Sequence, residues 1–146
     1  MSLAKYIEKL KDLSFYEVTI GYTTICLFAE SELVEGQKGY SVDPNGKILT
    51  GEKDGDWKKS WLVIGHEELC GDPIFVDLDL EHLPVFTAIH GIGSWNETLI
   101  ADNFESFIKS LEFLAESTSK EDTLGKIKSL NQQADFEFWE LLFEED

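Results

Sequence analysis

Trp61-Leu-Val-Ile-Gly65 and Gly71-Asp-Pro-Ile-Phe-Val-Asp77 are the segments that decide the fold of this chain. Each contains a short apolar run rich in β-branched and aromatic side chains, which is typical of a buried strand. The polar residues 66–70 lie between the two runs and are typical of a turn. The sequence therefore predicts two short buried strands joined by a polar turn.

Further strands are predicted on both sides of this pair. Asp43-Pro-Asn-Gly46 supplies the preset φ of Pro and the positive φ of Asn-Gly, so residues 40–42 and 47–49 should form a tight hairpin. Residues 51–59 are polar, charged and glycine-containing, and should form an exposed loop. The other predicted strands lie within residues 16–28, with a break at Gly21-Tyr22, and at residues 74–78, 85–89 and 95–100.

Helices are predicted toward both ends of the chain. Asp102 and Glu105 have the spacing of a capping box, and Ser119 resembles a weaker cap for the helix that follows it. A short helix of one or two turns should be capped by Ser31. Apolar residues recur at helical intervals in residues 4–13, 104–114, 124–130 and 134–143.

Helices at the ends and hairpin-linked strands between them predict an α+β fold with a central antiparallel sheet of about six strands. The length of 146 residues is that of one ordinary domain. We therefore expect residues 1–146 to form a single domain.

The charge of the chain is extreme, with 29 acidic and 12 basic residues and a formal net charge of -17 at pH 7. A negative field of this size repels phosphates and anionic lipids, so neither nucleic acid nor a membrane is an expected partner, whereas a basic protein is. Acidity that serves solubility alone is the alternative interpretation. Residues 1–12 lack the apolar centre of a secretory signal, and no apolar run approaches the length of a membrane span, so the cytoplasm is the expected compartment.

The sequence contains partial matches to several catalytic and metal-binding motifs, and each match fails at a specific position. His66-Glu-Glu-Leu-Cys70 has Cys where a zinc-protease helix needs its second His. Lys47 lacks the upstream glycine and the following Ser or Thr of a phosphate loop, and Ser94 lacks the flanking glycines of a nucleophile elbow. We therefore expect a binding protein rather than an enzyme, with no catalytic residues, no cofactor and no metal.

Partner contacts are predicted in two acidic segments. In the first, an exposed Trp57 would be a hot spot within the charged loop, because aromatic side chains dominate many protein interfaces. Trp61 and Trp95 lie in strand-like apolar runs and are expected in the core. The predicted contact residues are Asp54, Asp56 and Trp57 in the loop, and Glu67, Glu68 and Asp72 in the turn between the central strands.

An ordered set of short motifs resembles the SUKH superfamily, the domain of the Smi/Knr cell-wall-assembly regulators, and is most similar to bacterial antitoxins of the YobK type. The resemblance covers roughly residues 25–114. It is carried by Tyr40, the two opening segments, Pro84-Val-Phe-Thr-Ala-Ile-His-Gly91, Trp95 and Ile100-Ala-Asp-Asn-Phe-Glu-Ser-Phe107.

This resemblance implies an α+β fold with a central antiparallel sheet and no catalytic residues. It gives Gly65, Gly71, Asp72 and Trp95 as positions that define the fold. In bacteria it implies an immunity protein that binds and neutralises a cognate toxin, often a nuclease, and a basic toxin would suit this acidic chain. A non-enzymatic regulatory scaffold of the Smi/Knr type is the alternative.

Overall fold

A computed structural model describes residues 3–20, 23–116 and 119–143 of the chain. A six-stranded antiparallel sheet lies at its centre, and neighbouring strands follow one another in chain order. The predicted α+β class with a central antiparallel sheet is confirmed. The strands are β1 (Glu17–Ile20), β2 (Thr23–Leu27), β3 (Trp61–Glu67), β4 (Asp72–Asp77), β5 (Val85–Thr87) and β6 (Thr98–Ala101).

The opening segments form β3 and β4, which pair with Leu62 opposite Val76 and Val63 opposite Phe75. Successive side chains of a strand point to opposite faces of the sheet. Both faces of this pair are buried, so β3 and β4 have almost continuous apolar runs rather than an alternation of apolar and polar residues. The prediction of two buried strands around a turn is confirmed.

Gly65 has a packing role in the middle of the sheet. The register of β3 against β4 shifts between Val63 and Gly65. A Cβ atom at Gly65 would lie 2.0 Å from the carbonyl oxygen of Cys26 on β2. Only glycine permits this close approach of two backbones.

One face of the sheet carries the helices, and the largest core lies between the two layers. This core contains Ile64 and Ile74 from the sheet, and Phe107, Ile127 and Trp139 from the helices. The helices are α1 (Leu3–Leu10), α2 (Leu33–Gly36), α3 (Phe104–Ala115), α4 (Lys120–Leu130) and α5 (Glu137–Leu141), with a 3-10 turn at Glu30–Glu32 before α2.

Two of the predicted helix caps are wrong. The cap of α3 is Asn103, whose side chain accepts a hydrogen bond from the Ser106 amide at 2.8 Å, whereas Asp102 accepts one from Gln133 at 3.0 Å. Ser31 lies inside the 3-10 turn, and the turn is closed instead by the carboxylate of Glu32, which accepts from the Ala29 amide. The predicted cap of α4 is confirmed, since Ser119 accepts from the Asp122 amide.

The other face of the sheet, which we call the outer face, is covered by the connection of residues 37–60. An aromatic cluster lies beneath this connection, with Trp57, Trp61 and Phe75 at its centre and Tyr40 and Trp95 against it. Trp57 is only 2% exposed, and its ring lies 4.7 Å from that of Phe75, centroid to centroid. The prediction that residues 51–59 expose Trp57 is therefore wrong, because this loop folds its own aromatic side chain onto the sheet.

The predicted hairpin at residues 40–49 is reduced to a tight turn and one bridge. The Asp43 carboxylate accepts from the amides of Asn45 and Lys47, each at 2.8 Å, and Gly46 has φ +85°. Beyond this turn, Val42 forms an antiparallel bridge with Ile48, and the Leu49 amide donates to the carbonyl oxygen of Ser41 at 2.9 Å. The predicted break at Gly21-Tyr22 lies outside the described residues.

Candidate protein-binding site

The β3–β4 turn (residues 68–71) and the β5–β6 connection (residues 88–97) lie at the same end of the sheet, because consecutive antiparallel strands alternate in direction. The short helix α5 is held against this end from the helical face. A groove with a volume of about 490 Å³ opens between α5 and residues 88–97. We call it the docking groove.

The docking groove is surrounded by apolar side chains that are exposed to solvent. They are Ile89 and Ile92 in the β5–β6 connection and Leu141 on α5, with exposed fractions between 51% and 61%. Phe138 of α5 lines the same groove. An exposed apolar patch of this kind is typical of a surface that another molecule covers.

The charged residues that line the docking groove are all acidic. Asp72, Asp135 and Glu137 contribute carboxylates, and no Lys of the described ranges is among the lining residues. An apolar floor with carboxylates at its margin gives the surface a negative potential that low-dielectric walls strengthen. The groove is therefore suited to a partner that presents apolar groups flanked by basic ones.

A smaller and more enclosed pocket of about 130 Å³ continues from the docking groove toward β2. Its walls are apolar and come from Leu69, Phe138, Leu141 and Leu142. The two cavities share Asp72 at their junction. We call this cavity the inner pocket.

Glu67 lies at the inner pocket and is only 6% exposed. Its carboxylate accepts hydrogen bonds from the hydroxyl of Thr23 and from the amides of Leu69 and Cys70, at 2.8 Å and 3.0 Å for the two amides. Glu67, one of the predicted contact residues, is thus buried at this pocket rather than exposed on the turn. Its carboxylate closes the β3–β4 turn and supplies a buried negative charge to the pocket.

Asp72, at the start of β4, makes hydrogen bonds to the β5–β6 connection. Its Oδ1 accepts from the backbone amide of His90 at 3.1 Å and lies 2.7 Å from the Nδ1 atom of the same residue. Between Glu67 and Asp72, Gly71 adopts φ +77°, which favours glycine in the turn. Burial, and after it the carboxylates of Glu67 and Asp72, raises the pKa of the Cys70 thiol, so Cys70 is a poor nucleophile at neutral pH.

Glu68 points away from the docking groove and toward the outer face of the sheet. Its carboxylate accepts from the thiol of Cys26 at 3.0 Å. Burial of Cys26, and after it the bond to Glu68, raises the pKa of this thiol to about 12. Close by, the hydroxyl of Tyr40 lies 3.0 Å from Nε2 of His66, and burial lowers the pKa of His66, which favours the neutral imidazole.

The other predicted contact segment meets the same β5–β6 connection at a different point. The carbonyl oxygen of Gly55 accepts from the amide of Trp95 at 2.7 Å. Asp54 is exposed, whereas Asp56 is half-buried and accepts from the Lys53 amide at 3.0 Å. Of the predicted contact residues, two are exposed (Asp54 and Glu68), two are half-buried (Asp56 and Asp72), and two are buried (Trp57 and Glu67).

The apolar residues of the docking groove were not predicted as contacts. Ile89 and Ile92 surround Gly91 in a glycine-rich turn, where large apolar side chains have no strand or helix to bury them. That placement is the sequence signal that could have identified them. Leu141 carries no comparable signal, because its exposure depends on how distant elements meet.

No helix of the described ranges is both long and apolar enough to cross a bilayer. Within the same ranges, no three His, Cys, Asp or Glu side chains are arranged to hold a metal ion. Comparisons of the chain with protein-family models, with curated proteins and with solved structures find no match.

Proposed function

We propose that this chain is a cytoplasmic immunity protein of the SUKH type, which binds a basic toxin domain and neutralises it by occlusion. One observation carries the proposal. Exposed apolar side chains lie in a groove whose charged lining residues are all carboxylates, with Ile89, Ile92 and Leu141 beside Asp72 and Glu137.

Each half of this surface has a role in the proposed complex. A few well-packed side chains that lose water at the centre of an interface carry most of its binding free energy. Carboxylates at the margin attract Lys and Arg, and a nuclease presents these residues because it must bind phosphate. Fast association matters for an inhibitor, since the toxin acts on its substrate until it is blocked.

The proposed action requires no chemistry by this chain. The thiols of Cys26 and Cys70 have raised pKa values and stay protonated at neutral pH. His66 is engaged with Tyr40 on the outer face and does not line the docking groove. The chain would therefore act stoichiometrically, as a cover on the active surface of the toxin.

Coexpression with the toxin encoded beside this gene tests the proposal. We expect growth to be rescued and a stoichiometric complex to elute from gel filtration. The double variant Ile89→Asp/Ile92→Asp should lose both effects. Ile48→Asp is the matched control, because Ile48 is 72% exposed and does not line the groove.

Persistent toxicity together with the absence of a complex would overturn the proposal. Loss of binding in the Ile48 variant, with the groove variant unaffected, would move the contact surface to the 37–60 connection. A chromosomal neighbourhood without a toxin gene would favour the regulatory scaffold.

A further inference from the structure

We infer that the inner pocket receives one lysine or arginine side chain of the bound partner. The cationic head would lie at Glu67 and Asp72, and the methylene stem would lie against Leu69, Phe138 and Leu141. This inference rests on the proposed function, because it specifies how a basic partner is held in the docking groove.

The shape of the inner pocket suits a slender side chain. Its volume of about 130 Å³ is well below the 490 Å³ of the docking groove, and it opens from that groove at Asp72, Thr87 and Phe138. A peptide segment has room in the groove but not in the pocket. A lysine or arginine side chain can extend from the groove into the pocket, because its stem is a chain of methylene groups.

The lining of the inner pocket has an apolar part and an acidic part. Leu69, Phe138 and Leu141 provide apolar surface for a methylene stem, whereas Glu67 and Asp72 provide carboxylates. An apolar stem with a charged tip is what distinguishes lysine and arginine from other side chains. The pocket is complementary to both parts of such a side chain.

The carboxylate of Glu67 has no cationic partner among residues 3–20, 23–116 and 119–143. Its hydrogen bonds come from neutral groups, namely one hydroxyl, two backbone amides and the thiol of Cys70. A buried charge that lacks an opposite charge is costly, and an entering cation offsets this cost.

Asp72, which lies opposite Glu67 in the pairing of β3 with β4, adds a second acceptor to the pocket. Both of its hydrogen bonds from His90 end on Oδ1, and no donor within the described ranges bonds to Oδ2. His90 thereby fixes the carboxylate while Oδ2 remains for the partner. An uncharged apolar side chain would leave both carboxylates without a cation, and an acidic one would be repelled.

Nuclear magnetic resonance titration with n-butylammonium tests this inference without the toxin. This probe has the stem and head of a lysine side chain, n-butanol is its neutral isostere, and butyrate is an anionic counterpart. We expect saturable shifts at the amides of Leu69 and Cys70, with a Kd of about 1–10 mM, a range suited to so small a ligand. Binding of n-butanol should be about tenfold weaker, and butyrate should not bind.

Asp72→Asn should weaken n-butylammonium binding about tenfold, because a charge-assisted hydrogen bond becomes a neutral one. The asparagine can still accept from the His90 amide, so the turn is retained. Asp77→Asn is the matched control, since it makes the same change of charge at the opposite end of β4 and should leave the Kd unchanged. Glu67→Gln provides a second variant within the pocket.

Equal binding of n-butanol would show an apolar pocket without charge selection and would overturn the inference. Chemical shift changes that rise linearly with n-butylammonium concentration at residues across the whole acidic surface would also overturn the inference. So would an equal weakening of binding by Asp77→Asn. If the amine binds as expected but no toxin complex forms, the inference about the pocket is supported and the proposed function is contradicted. If a toxin complex forms without saturable amine binding, the proposed function is supported and the inference about the pocket is contradicted.

Discussion

The indole Nε1 of Trp139 donates a hydrogen bond to the carbonyl oxygen of Ile100 at 2.7 Å, and both residues are fully buried. This bond attaches α5 to β6, at the edge of the sheet. The Asp135 amide adds a bond of 2.8 Å to the carbonyl oxygen of Leu99, just before α5. The position of α5, and with it one wall of the docking groove, is therefore set by contacts beneath the surface.

Trp139→Phe should lower the free energy of unfolding by about 2–4 kcal/mol, because it removes buried volume and leaves the Ile100 carbonyl without its donor. Urea unfolding measures this change. The variant should also bind the partner more weakly, since α5 loses its fixed position. The control Leu141→Ala changes an exposed wall residue and should alter stability by no more than about 0.5 kcal/mol while still reducing binding. Equal stability of the two variants would contradict the anchoring role of Trp139.

Gly65→Ala and Gly125→Ala should change stability in opposite directions. The new methyl group at Gly65 would meet the carbonyl oxygen of Cys26 at 2.0 Å, so we expect a loss of about 3 kcal/mol. Gly125 lies within α4, and apart from its own helix backbone no atom of the described residues lies within 4 Å of the added group, so alanine should stabilise the helix by about 0.5–1 kcal/mol. Thermal or urea unfolding of both variants checks the signs. An unchanged stability of the Gly65 variant would refute the packing role of this glycine.

The central strands could be predicted from sequence because their environment is simple. Both faces of β3 and β4 are covered, so the apolar runs around Val63 and Phe75 carry the signal by themselves. The burial of Trp57 could not be predicted, for the opposite reason. Its neighbours are charged and typical of a loop, and only the aromatic cluster on the outer face explains its burial. Local composition carries no information about that contact.

The candidate site could be predicted only in part. Asp72 was identified because it lies in a recognisable turn, but the role of Glu67 depends on Thr23, a residue far away in the sequence. The docking groove combines three segments, represented by Cys70, Ile89 and Leu141, and its third wall is in place only when α5 rests on β6. Such a surface is a product of tertiary packing, and no single segment encodes it.

His66 should make the stability of this protein depend on pH. Burial lowers the pKa of His66 below its ordinary value of 6.5, although the nearby carboxylate of Glu68 opposes the shift. The unfolded chain therefore binds the proton more readily than the folded one. The contribution of this group to stability is complete above about pH 6.5 and is lost as the pH falls below that value.

Urea unfolding at about pH 7.5 and about pH 5 tests this dependence. His66→Gln should lose less stability between the two values than the unaltered protein, because it lacks the titrating ring while its amide can still bond to Tyr40. The carboxylates titrate in both proteins, so the difference between the two pH effects isolates His66. An identical loss in the variant would be evidence against a buried neutral His66.

Association with a basic partner should slow as salt rises. At physiological ionic strength, interactions between surface charges are screened beyond about 8 Å, so the long-range attraction that steers the partner is weakened. Between low salt and about 0.5 M salt we expect the association rate constant to fall by at least about tenfold, with a much smaller change in dissociation. Stopped-flow fluorescence with the purified toxin domain would measure both rates.

The double variant Asp135→Asn/Glu137→Gln removes two charges from the docking groove and should show a shallower salt dependence of association. The amide oxygen introduced at position 135 can still accept from the Glu137 amide at the start of α5, as the carboxylate does at 2.9 Å, so the helix should be retained. An association rate that is indifferent to salt would rule out steering by these carboxylates and leave the apolar contacts as the source of affinity.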